Sequence, residues 1–260
     1  RGWEAAEDIQ HCNLLIVNTC SVRITAETRV FGRLGLFSAM KKKQNFTIVL
    51  MGCMAQRLHD EIKEKFPLLD YVVGMFERDR FTAIFDAVER ELLWEDTEES
   101  VAELTALNPQ SGNEQRYHFS KCSYTEGAFQ SFVPIMNGCN NFCTYCIVPY
   151  IRGREISRPV ESILDEIRFL SGKNVREITL LGQNVNSYGF GLEKEISFPE
   201  LLQRVCDVDG IERVRYMSSN PHDFSDELIE VMRTEKKAAR HIHLALQSGS
   251  DRILKMMNRK

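Results

Sequence analysis

Short apolar runs and longer amphipathic stretches alternate along residues 1 to 94. The apolar runs are Leu14–Val17, Thr47–Met51 and Tyr71–Val73. The amphipathic stretch after the first run ends at Lys43, the stretch after the second ends at Phe66, and the third extends from Arg78 to Leu93. Continuous apolar strands that alternate with helices are typical of a parallel sheet covered on both faces. The pattern therefore predicts an α/β domain with a doubly wound parallel sheet over residues 1–94.

The periodicity stops between residues 95 and 130. This stretch holds the acidic run Glu95–Glu99 and the turn-rich segment Asn108–Asn113. We interpret it as an interdomain connection with one short helix around Val101–Leu107, and we interpret the acidic run as a solvated surface.

Strands and helices alternate again over residues 131–260. The predicted strands are Phe132–Met136, Glu177–Leu181, Val214–Met217 and His241–Leu246; the predicted helices are Val160–Leu170, Pro199–Cys206, Ser225–Arg233 and one that begins after Gly249. Repeated units of this length predict a partial (β/α) barrel, whose site lies at the carboxyl ends of the strands.

Composition indicates a globular protein, with 43% hydrophobic and 27% charged residues among 260. The sequence contains neither a run of eighteen apolar residues nor a signal-peptide pattern, so we predict a cytoplasmic protein without a membrane partner. The net charge of −4 gives no support to nucleic-acid binding by the chain as a whole. Because it starts at Arg1 and stops at Lys260 within a helical pattern, we interpret the chain as a fragment.

Three cysteines, Cys139, Cys143 and Cys146, form a C-x3-C-x2-C run directly after a predicted strand. A structural zinc site needs four closed ligands, whereas a cubane iron-sulfur cluster held by three cysteines leaves one iron open. An odd triplet cannot pair internally as disulfides. The spacing favours a cluster over the two remaining alternatives, a zinc site and three structural cysteines.

Two more cysteines, Cys20 and Cys53, each follow the end of a predicted strand in the first domain. Carboxyl ends of parallel strands form the ligand-binding edge of such a sheet. We assign no ligand role to the other three cysteines, Cys12, Cys122 and Cys206.

Polar strings also follow the predicted strands of the second domain. They are Gly182–Gly189, Ser218–His222 and Gln247–Ser250. Each string alone is readily explained as a turn, but together with the cysteine loop they favour a site at the barrel mouth. Arg152, Arg154 and Arg158 are weaker candidates for phosphate contacts, and His241 and His243 are interpreted as structural.

The string from Gly138 to Pro159, with Tyr145 just before the last cysteine, resembles the cluster motif of the radical S-adenosylmethionine (SAM) enzymes and, more closely, of their methylthiotransferases of the MiaB type. Asn18–Arg23 and Met51–Arg57 are similar to the second and third cysteine motifs of the amino-terminal methylthiotransferase domain. The first cysteine motif of that domain is absent.

The resemblance implies two [4Fe-4S] clusters and SAM as cofactors. Cys139, Cys143 and Cys146 would bind the cluster that cleaves SAM, and Cys20 and Cys53 would bind an auxiliary cluster that lacks its first cysteine here. The residues implied to contact SAM are Tyr145, Gln183, Asn184, Gln247 and Ser248, with Gln183 and Asn184 near the amino group and Gln247 and Ser248 near the ribose.

The reaction implied by the resemblance adds a methylthio group to C2 of N6-isopentenyladenosine at position 37 of tRNA. One SAM would supply the methyl group and another the radical. The resemblance further implies a monomer that takes electrons from a donor such as flavodoxin. The alternatives are a threonylcarbamoyl-adenosine tRNA substrate, an aspartate of a ribosomal protein, and a non-catalytic iron-sulfur protein.

Overall fold

The computed structural model describes residues 2–21, 24–77, 80–93, 117, 119, 124–192 and 196–259. The chain divides into two compact units, Arg1–Arg116 and Tyr117–Lys260. Within the described residues, no helix combines the length and apolar character needed to cross a membrane. The predicted helix at 101–107 and most of the predicted connection lie outside the described residues.

The first unit contains a three-stranded parallel sheet in the order β1-β2-β3. Its strands are β1 (Leu14–Thr19), β2 (Thr47–Gly52) and β3 (Tyr71–Val73), and its helices are α1 (Ile24–Lys41), α2 (Cys53–Arg57), α3 (His59–Lys65) and α4 (Arg80–Leu93). A 3-10 turn, Ile9–His11, precedes β1. The helix predicted up to Phe66 is two helices, because the backbone at Leu58 leaves the helical conformation.

Alternate residues of β2 face opposite sides of this sheet, and both sides are covered. Ile48 and Leu50 belong to the apolar cluster that includes Leu34 of α1, whereas Val49 packs in a separate cluster with Ile84 of α4. A strand buried on both faces has no polar side to alternate with, which explains its continuous apolar sequence. The predicted α/β sheet with helices on both faces is confirmed.

The second unit is built on a parallel sheet in the order β4-β7-β8. Its strands are β4 (Gln130–Pro134), β5 (Met136–Asn137), β6 (Ile156–Ser157), β7 (Glu177–Leu181) and β8 (Arg213–Tyr216). Its helices are α5 (Val148–Arg152), α6 (Val160–Gly172), α7 (Phe198–Cys206), α8 (Asp226–Thr234) and α9 (Asp251–Met256), and 3-10 turns span Val185–Ser187 and Pro221–Asp223. β5 and β6 form a separate antiparallel pair.

One apolar cluster joins this sheet to its helices. Ile178 and Leu180 of β7 are fully buried, together with Ile163 and Ile167 of α6 and Leu201 of α7. Parallel strands connected by helices on one side are the repeating part of a (β/α) barrel. The predicted partial barrel is confirmed.

Residues His241–Leu246 do not form the regular strand that their alternation predicts. They make an isolated parallel bridge from Leu244 to Ser219, supported by hydrogen bonds from Ser219 N to His243 O and from Ala245 N to Ser219 O. Leu244 and Leu246 are 43% and 58% exposed, so the described residues supply little packing to hold this edge in a continuous ladder.

Candidate active site

The cysteine loop lies between β5 and α5, and the antiparallel β5–β6 pair closes it at its base. Cys139 N donates to Gly153 O at 3.2 Å, and Cys146 N donates to Cys143 O at 2.9 Å. Gly138 has a φ of 82°, and a Cβ there would lie 2.0 Å from Arg154 O. The chain therefore needs glycine before Cys139, because the backbone at Arg154, just before β6, passes too close for a side chain.

The three thiols of the loop differ in exposure. Cys143 is buried, whereas Cys139 and Cys146 are half-buried. Burial raises the pKa of the Cys139 thiol. Within the described ranges, no three His, Cys, Asp or Glu side chains form a group that could hold a metal ion. Cysteines of an iron-sulfur cubane each bind a different iron, so three soft donors on one loop suit a cluster without meeting at one point.

The end of the described chain holds the loop from its other side. Thr144 N donates to Met257 O at 3.1 Å, and the Asn258 side-chain amide donates to Phe142 O at 3.1 Å. The Arg259 guanidinium donates to Cys143 Sγ at 3.5 Å and to Ala245 O at 2.7 Å. Through Arg259, these contacts join the cysteine loop to Ala245 in the His241–Leu246 segment.

A cleft of about 300 Å³ opens beside Cys143. Ligand pockets generally span about 300–1,000 Å³, so this cleft has the size of a small-molecule site. Its walls come from the cysteine loop and the polar strings that follow β7 and β8, and they are lined by Asn140, Asn141, Cys143, Glu155, Asn184, Ser187, Asn220, His222, Asp223, Asn258 and Arg259.

Glu155 is a buried carboxylate on one wall of the cleft. Ser187 Oγ donates to its Oε1 at 2.6 Å, and Asn140 Nδ2 donates to its Oε2 at 3.3 Å. Burial raises the pKa of Glu155, and the two hydrogen bonds act in the opposite direction. The side chain thus joins the cysteine loop to the string after β7.

Asp223 is the second carboxylate of the cleft. Its Oδ2 accepts hydrogen bonds from Asn184 Nδ2 at 2.6 Å and from Asn220 Nδ2 at 3.3 Å. Asn184 is 2% exposed, and its Oδ1 has no hydrogen-bond partner within the described structure. A buried acceptor that lines a cleft without a partner is suited to a ligand donor, since such atoms are otherwise satisfied.

Among the residues predicted to contact SAM, Asn184 lines the cleft. Tyr145 is 51% exposed, with its hydroxyl 3.4 Å from an Arg259 nitrogen. Gln183 precedes Asn184 and has a buried Oε1 without a partner in the described structure. Gln247 has a φ of 62°, and Ser248 Oγ accepts from Ser250 N. Neither Gln247 nor Ser248 is among the residues that line this cleft.

Sequence reasoning missed Glu155, Asp223 and Arg259 as residues of the cleft. Glu155 lies within the motif-bearing string after the cysteines, and Asp223 directly follows the polar string Ser218–His222. An acidic residue beside a strand-end string was thus an available signal for both. Arg259 had none, because its place in the site depends on the return of the chain after α9.

In the first unit, Cys20 and Cys53 follow residues that pair directly across β1 and β2, Thr19 and Gly52. The two cysteines therefore begin at one edge of the sheet. Cys20 is exposed, and Cys53 is 4% exposed at the start of α2.

The cysteines without an assigned ligand role have ordinary packing where they are described. Cys206 is buried in the core of the second unit, and burial raises the pKa of its thiol to about 12. Cys12 packs against the first unit's core, and its thiol donates to Ile9 O. Cys122 lies outside the described residues.

The three arginines after the loop have different surroundings. Arg158 is 1% exposed and forms an ion pair with Glu166 at 2.5 Å, so it is a structural residue and the suggested phosphate contact is excluded for it. Arg152 donates to Asn137 Oδ1. Arg154 is exposed.

Comparison with known protein families gives one match for each unit of the chain. Residues 133–260 match the model of the radical SAM superfamily. The second unit therefore carries a radical SAM domain. The first unit overlaps the other match, because residues 1–74 match the uncharacterized protein family UPF0004.

Curated relatives match this chain over its whole length. It is 56% identical over 267 residues to the tRNA-2-methylthio-N(6)-dimethylallyladenosine synthase of Treponema pallidum (strain Nichols), covering 100% of the chain and 58% of the relative. It is 54% identical over 265 residues to the protein of that name from Treponema denticola, again covering 100% and 58%. The chain thus spans 58% of the length of these relatives.

Two solved structures have a similar fold. The radical SAM methyltransferase TsrM from Kitasatospora setae, with cobalamin and a [4Fe-4S] cluster bound, aligns with a TM-score of 0.64 at 15% identity, covering 93% of this chain and 51% of that one. The cobalamin-dependent radical enzyme OxsB, with aqua-cobalamin and SAM bound, aligns with a TM-score of 0.51 at 12% identity, covering 95% and 37%. At these identities the similarity concerns the fold alone.

Proposed function

We propose that the protein is a tRNA methylthiotransferase that adds a methylthio group to C2 of N6-isopentenyladenosine at position 37. The observation that carries the proposal is the 56% identity, along the whole chain, to a protein named tRNA-2-methylthio-N(6)-dimethylallyladenosine synthase. The aligned region covers both units, and with them the cysteine loop, the cleft and the two thiols of the first unit.

The proposed cofactors are SAM and two [4Fe-4S] clusters. Cys139, Cys143 and Cys146 would hold the first cluster, and Cys20 and Cys53 would contribute to the auxiliary one. A cluster with an open iron bound there would supply the electron for reductive cleavage of SAM. The β5–β6 pair and the Met257–Arg259 segment hold the loop thiols in place before any cofactor binds.

The cleft offers the polar groups that a ligand with an ammonium group and hydroxyls requires. Glu155 and Asp223 provide two carboxylates, and the unpartnered Asn184 Oδ1 provides an acceptor. A cation bound here would favour the ionised form of Glu155 and oppose the rise in its pKa caused by burial. SAM, which carries an ammonium and a sulfonium, fits this charge arrangement.

The test begins with anaerobic reconstitution of the protein and a dithionite-driven assay for 5'-deoxyadenosine. We expect the nucleoside to form only when the cluster is present. The protein is then incubated separately with isopentenylated tRNA, threonylcarbamoylated tRNA and ribosomal protein, and each product is analysed by mass spectrometry for an added methylthio group.

A methylthio group on isopentenylated tRNA alone supports the proposal. The same mass on threonylcarbamoylated tRNA or on a ribosomal aspartate would instead assign the protein to one of the other methylthiotransferase substrates. Iron binding without SAM cleavage would contradict the enzyme assignment.

A further inference from the structure

Large aromatic side chains are exposed around the cysteine loop. Tyr150 on α5 is 72% exposed and Tyr145 within the loop is 51% exposed. Single exposed aromatics are common on protein surfaces, whereas a group of them beside a functional cleft more often marks an interaction site. We call Phe142, Tyr145, Tyr150 and Arg154 the aromatic rim.

The aromatic rim has a defined arrangement. The ring of Phe142 meets the ring of Tyr150 edge to face, with centroids 5.8 Å apart. The guanidinium of Arg154 lies over the Phe142 ring, 4.3 Å from its centroid. Phe142 adopts a φ of 47°, a conformation that bulky residues seldom take unless their surroundings impose it. The rim is therefore shaped before a partner arrives.

Arg154, the only arginine among the four residues of the rim, is available to an outside partner, unlike the two other arginines that follow the cysteine loop. Arg158 is consumed by its buried ion pair with Glu166, and Arg152 donates to Asn137. Arg154 is exposed and forms no ion pair with a carboxylate of the described residues. Its partner in the described chain is the Phe142 ring, so its N–H donors remain available to an anion.

We propose that the aromatic rim binds the single-stranded loop of the RNA substrate, with a base stacked on Tyr150 and a phosphate held by Arg154. The inference rests on the proposed function and names the residues that would meet the RNA. Proteins recognise RNA loops by stacking unpaired bases on aromatic rings and on arginine planes. Phe142 and Tyr145 of the rim belong to the same loop as Cys143, which lines the cleft, so RNA held there would have a nucleotide near the cleft.

The position also reconciles RNA binding with the acidic character of the chain. The net charge of −4 opposes a broad electrostatic contact with phosphates. Stacking on neutral rings does not need net positive charge, and one unpaired arginine can serve one phosphate. The rim thus supplies RNA contacts that the overall composition does not indicate.

The test measures binding of an isopentenylated anticodon stem-loop to the intact reconstituted protein by fluorescence anisotropy over a range of salt concentrations. We expect Tyr150→Ala to weaken binding about tenfold or more, because one stacked base is lost, and Tyr150→Phe to retain binding. We expect Arg154→Gln to lower the slope of log K against log salt by about 0.7, the change for one phosphate contact on a single strand.

Two matched variants on α6 serve as controls. Phe169 is 49% exposed and Arg168 is also on the surface, and both lie on α6, which is not part of the cysteine loop or of the aromatic rim. We expect Phe169→Ala and Arg168→Gln to leave both the affinity and the salt slope unchanged. Iron content and circular dichroism are recorded for every variant, so that a folding defect is distinguished from lost stacking.

The outcomes separate this inference from the proposed function. If the unaltered protein binds the stem-loop and Tyr150→Ala and Arg154→Gln bind it equally well, the rim contacts another partner or another part of the protein, and the inference is wrong while the function stands. If the unaltered protein neither binds nor modifies the RNA, both fail. Weakened binding in the rim variants alone supports the inference.

Discussion

The cysteine loop of the second unit and the sheet edge of the first unit that carries Cys20 and Cys53 share one backbone feature. In each, a glycine at positive φ precedes a cysteine, Gly138 before Cys139 and Gly52 before Cys53. A Cβ at either glycine would collide with a backbone carbonyl, at 2.0 Å from Arg154 O and 2.4 Å from Thr19 O respectively. Close approach of two chain segments therefore positions a thiol in both places.

The two regions differ in how their thiols are held. All three thiols of the loop come from one stretch of eight residues, which the β5–β6 pair and the Met257–Arg259 segment hold from two sides. Cys20 and Cys53 come from the ends of two different strands, and Cys20 is exposed. The loop is organised locally, whereas the edge in the first unit depends on the assembled sheet.

The largest effect we expect comes from removing one thiol in each region. Cys143→Ala should abolish 5'-deoxyadenosine formation, because the loop then lacks one of its three donors, and should lower the iron content by about four atoms per chain. Cys53→Ala should lower only the iron held by the first unit and act on methylthio transfer, because Cys53 lies outside the loop. Iron analysis and nucleoside chromatography measure both.

Cys12→Ser is the matched control for these substitutions, since Cys12 is half-buried and has no assigned ligand role. It should retain iron and both products. Continued SAM cleavage at the unaltered rate by Cys143→Ala would sink the assignment of the loop.

The thiol of Cys20, at the sheet edge of the first unit, should also react faster than the thiol of Cys206 in the core of the second unit. At pH 8 a thiol with the pKa of about 12 found for Cys206 is ionised to roughly one part in ten thousand, and burial blocks access as well. Cys20 is exposed. In metal-free protein we expect iodoacetamide to modify Cys20 at least about a thousandfold faster than Cys206, as followed by peptide mass spectrometry.

The pKa of Cys206 also gives the direction of the pH dependence. Its thiolate fraction should rise about tenfold for each pH unit between 8 and 10. Equal rates of alkylation at Cys20 and Cys206 would mean that the core around Cys206 opens readily.

The sequence predicts the strands of the two sheets well because they are buried. The limits of β3 and β7 agree with the apolar runs Tyr71–Val73 and Glu177–Leu181. The prediction fails where burial is lost, at His241–Leu246, whose alternating residues lack a second neighbouring strand within the described residues. Alternation indicates a preferred conformation, but a continuous ladder also requires a partner backbone.

The site was predicted only where its residues are consecutive in sequence. Cys139, Cys143 and Cys146 follow a recognisable spacing, and the strings after β7 and β8 follow strand ends. The contact between Glu155 and Ser187 joins positions 32 residues apart, and that between Asn184 and Asp223 joins positions 39 apart. No periodicity of a single sequence encodes such pairs, because tertiary packing brings them together. The short helix α5 was missed because five residues are too few for a periodic pattern.

Two arginines test how strongly each region depends on an ion pair. Arg158 and Glu166 are 1% and 2% exposed, whereas Arg57 pairs with Glu27 at the first unit's surface, at 33% and 17% exposure. Arg158→Met should reduce the stability of the second unit by about 3–5 kcal/mol, because the buried Glu166 carboxylate would lose its ion pair with Arg158. Arg57→Met should cost about 1 kcal/mol or less.

Hydrogen exchange measured by mass spectrometry gives the stability of each unit separately. Peptides from β4 and α6 should lose protection in Arg158→Met, and those from β1 and β2 should not. Similar losses of protection in Arg158→Met and Arg57→Met would show that the buried ion pair stabilises its unit no more than the surface pair does.

The last and smallest effect concerns the glycines that the two regions share. Gly138→Ala and Gly52→Ala should each destabilise their own unit by about 2–4 kcal/mol, because both combine a positive φ with a backbone clash. Gly35 in the middle of α1 is the control, because no atom lies within 4 Å of the position that an added methyl group would take. Gly35→Ala should stabilise the first unit by about 0.5–1 kcal/mol.

The substitutions Gly138→Ala and Gly52→Ala also show whether each region needs its glycine in order to bind iron. Gly138→Ala should displace the returning Arg154 segment and lower cluster occupancy in the loop, since all three thiols share that base. Gly52→Ala should leave the loop's iron intact and act only on the edge of the first sheet. Loss of loop iron in Gly52→Ala would contradict the independence of the two regions, because it would mean that the sheet edge also supports the cysteine loop.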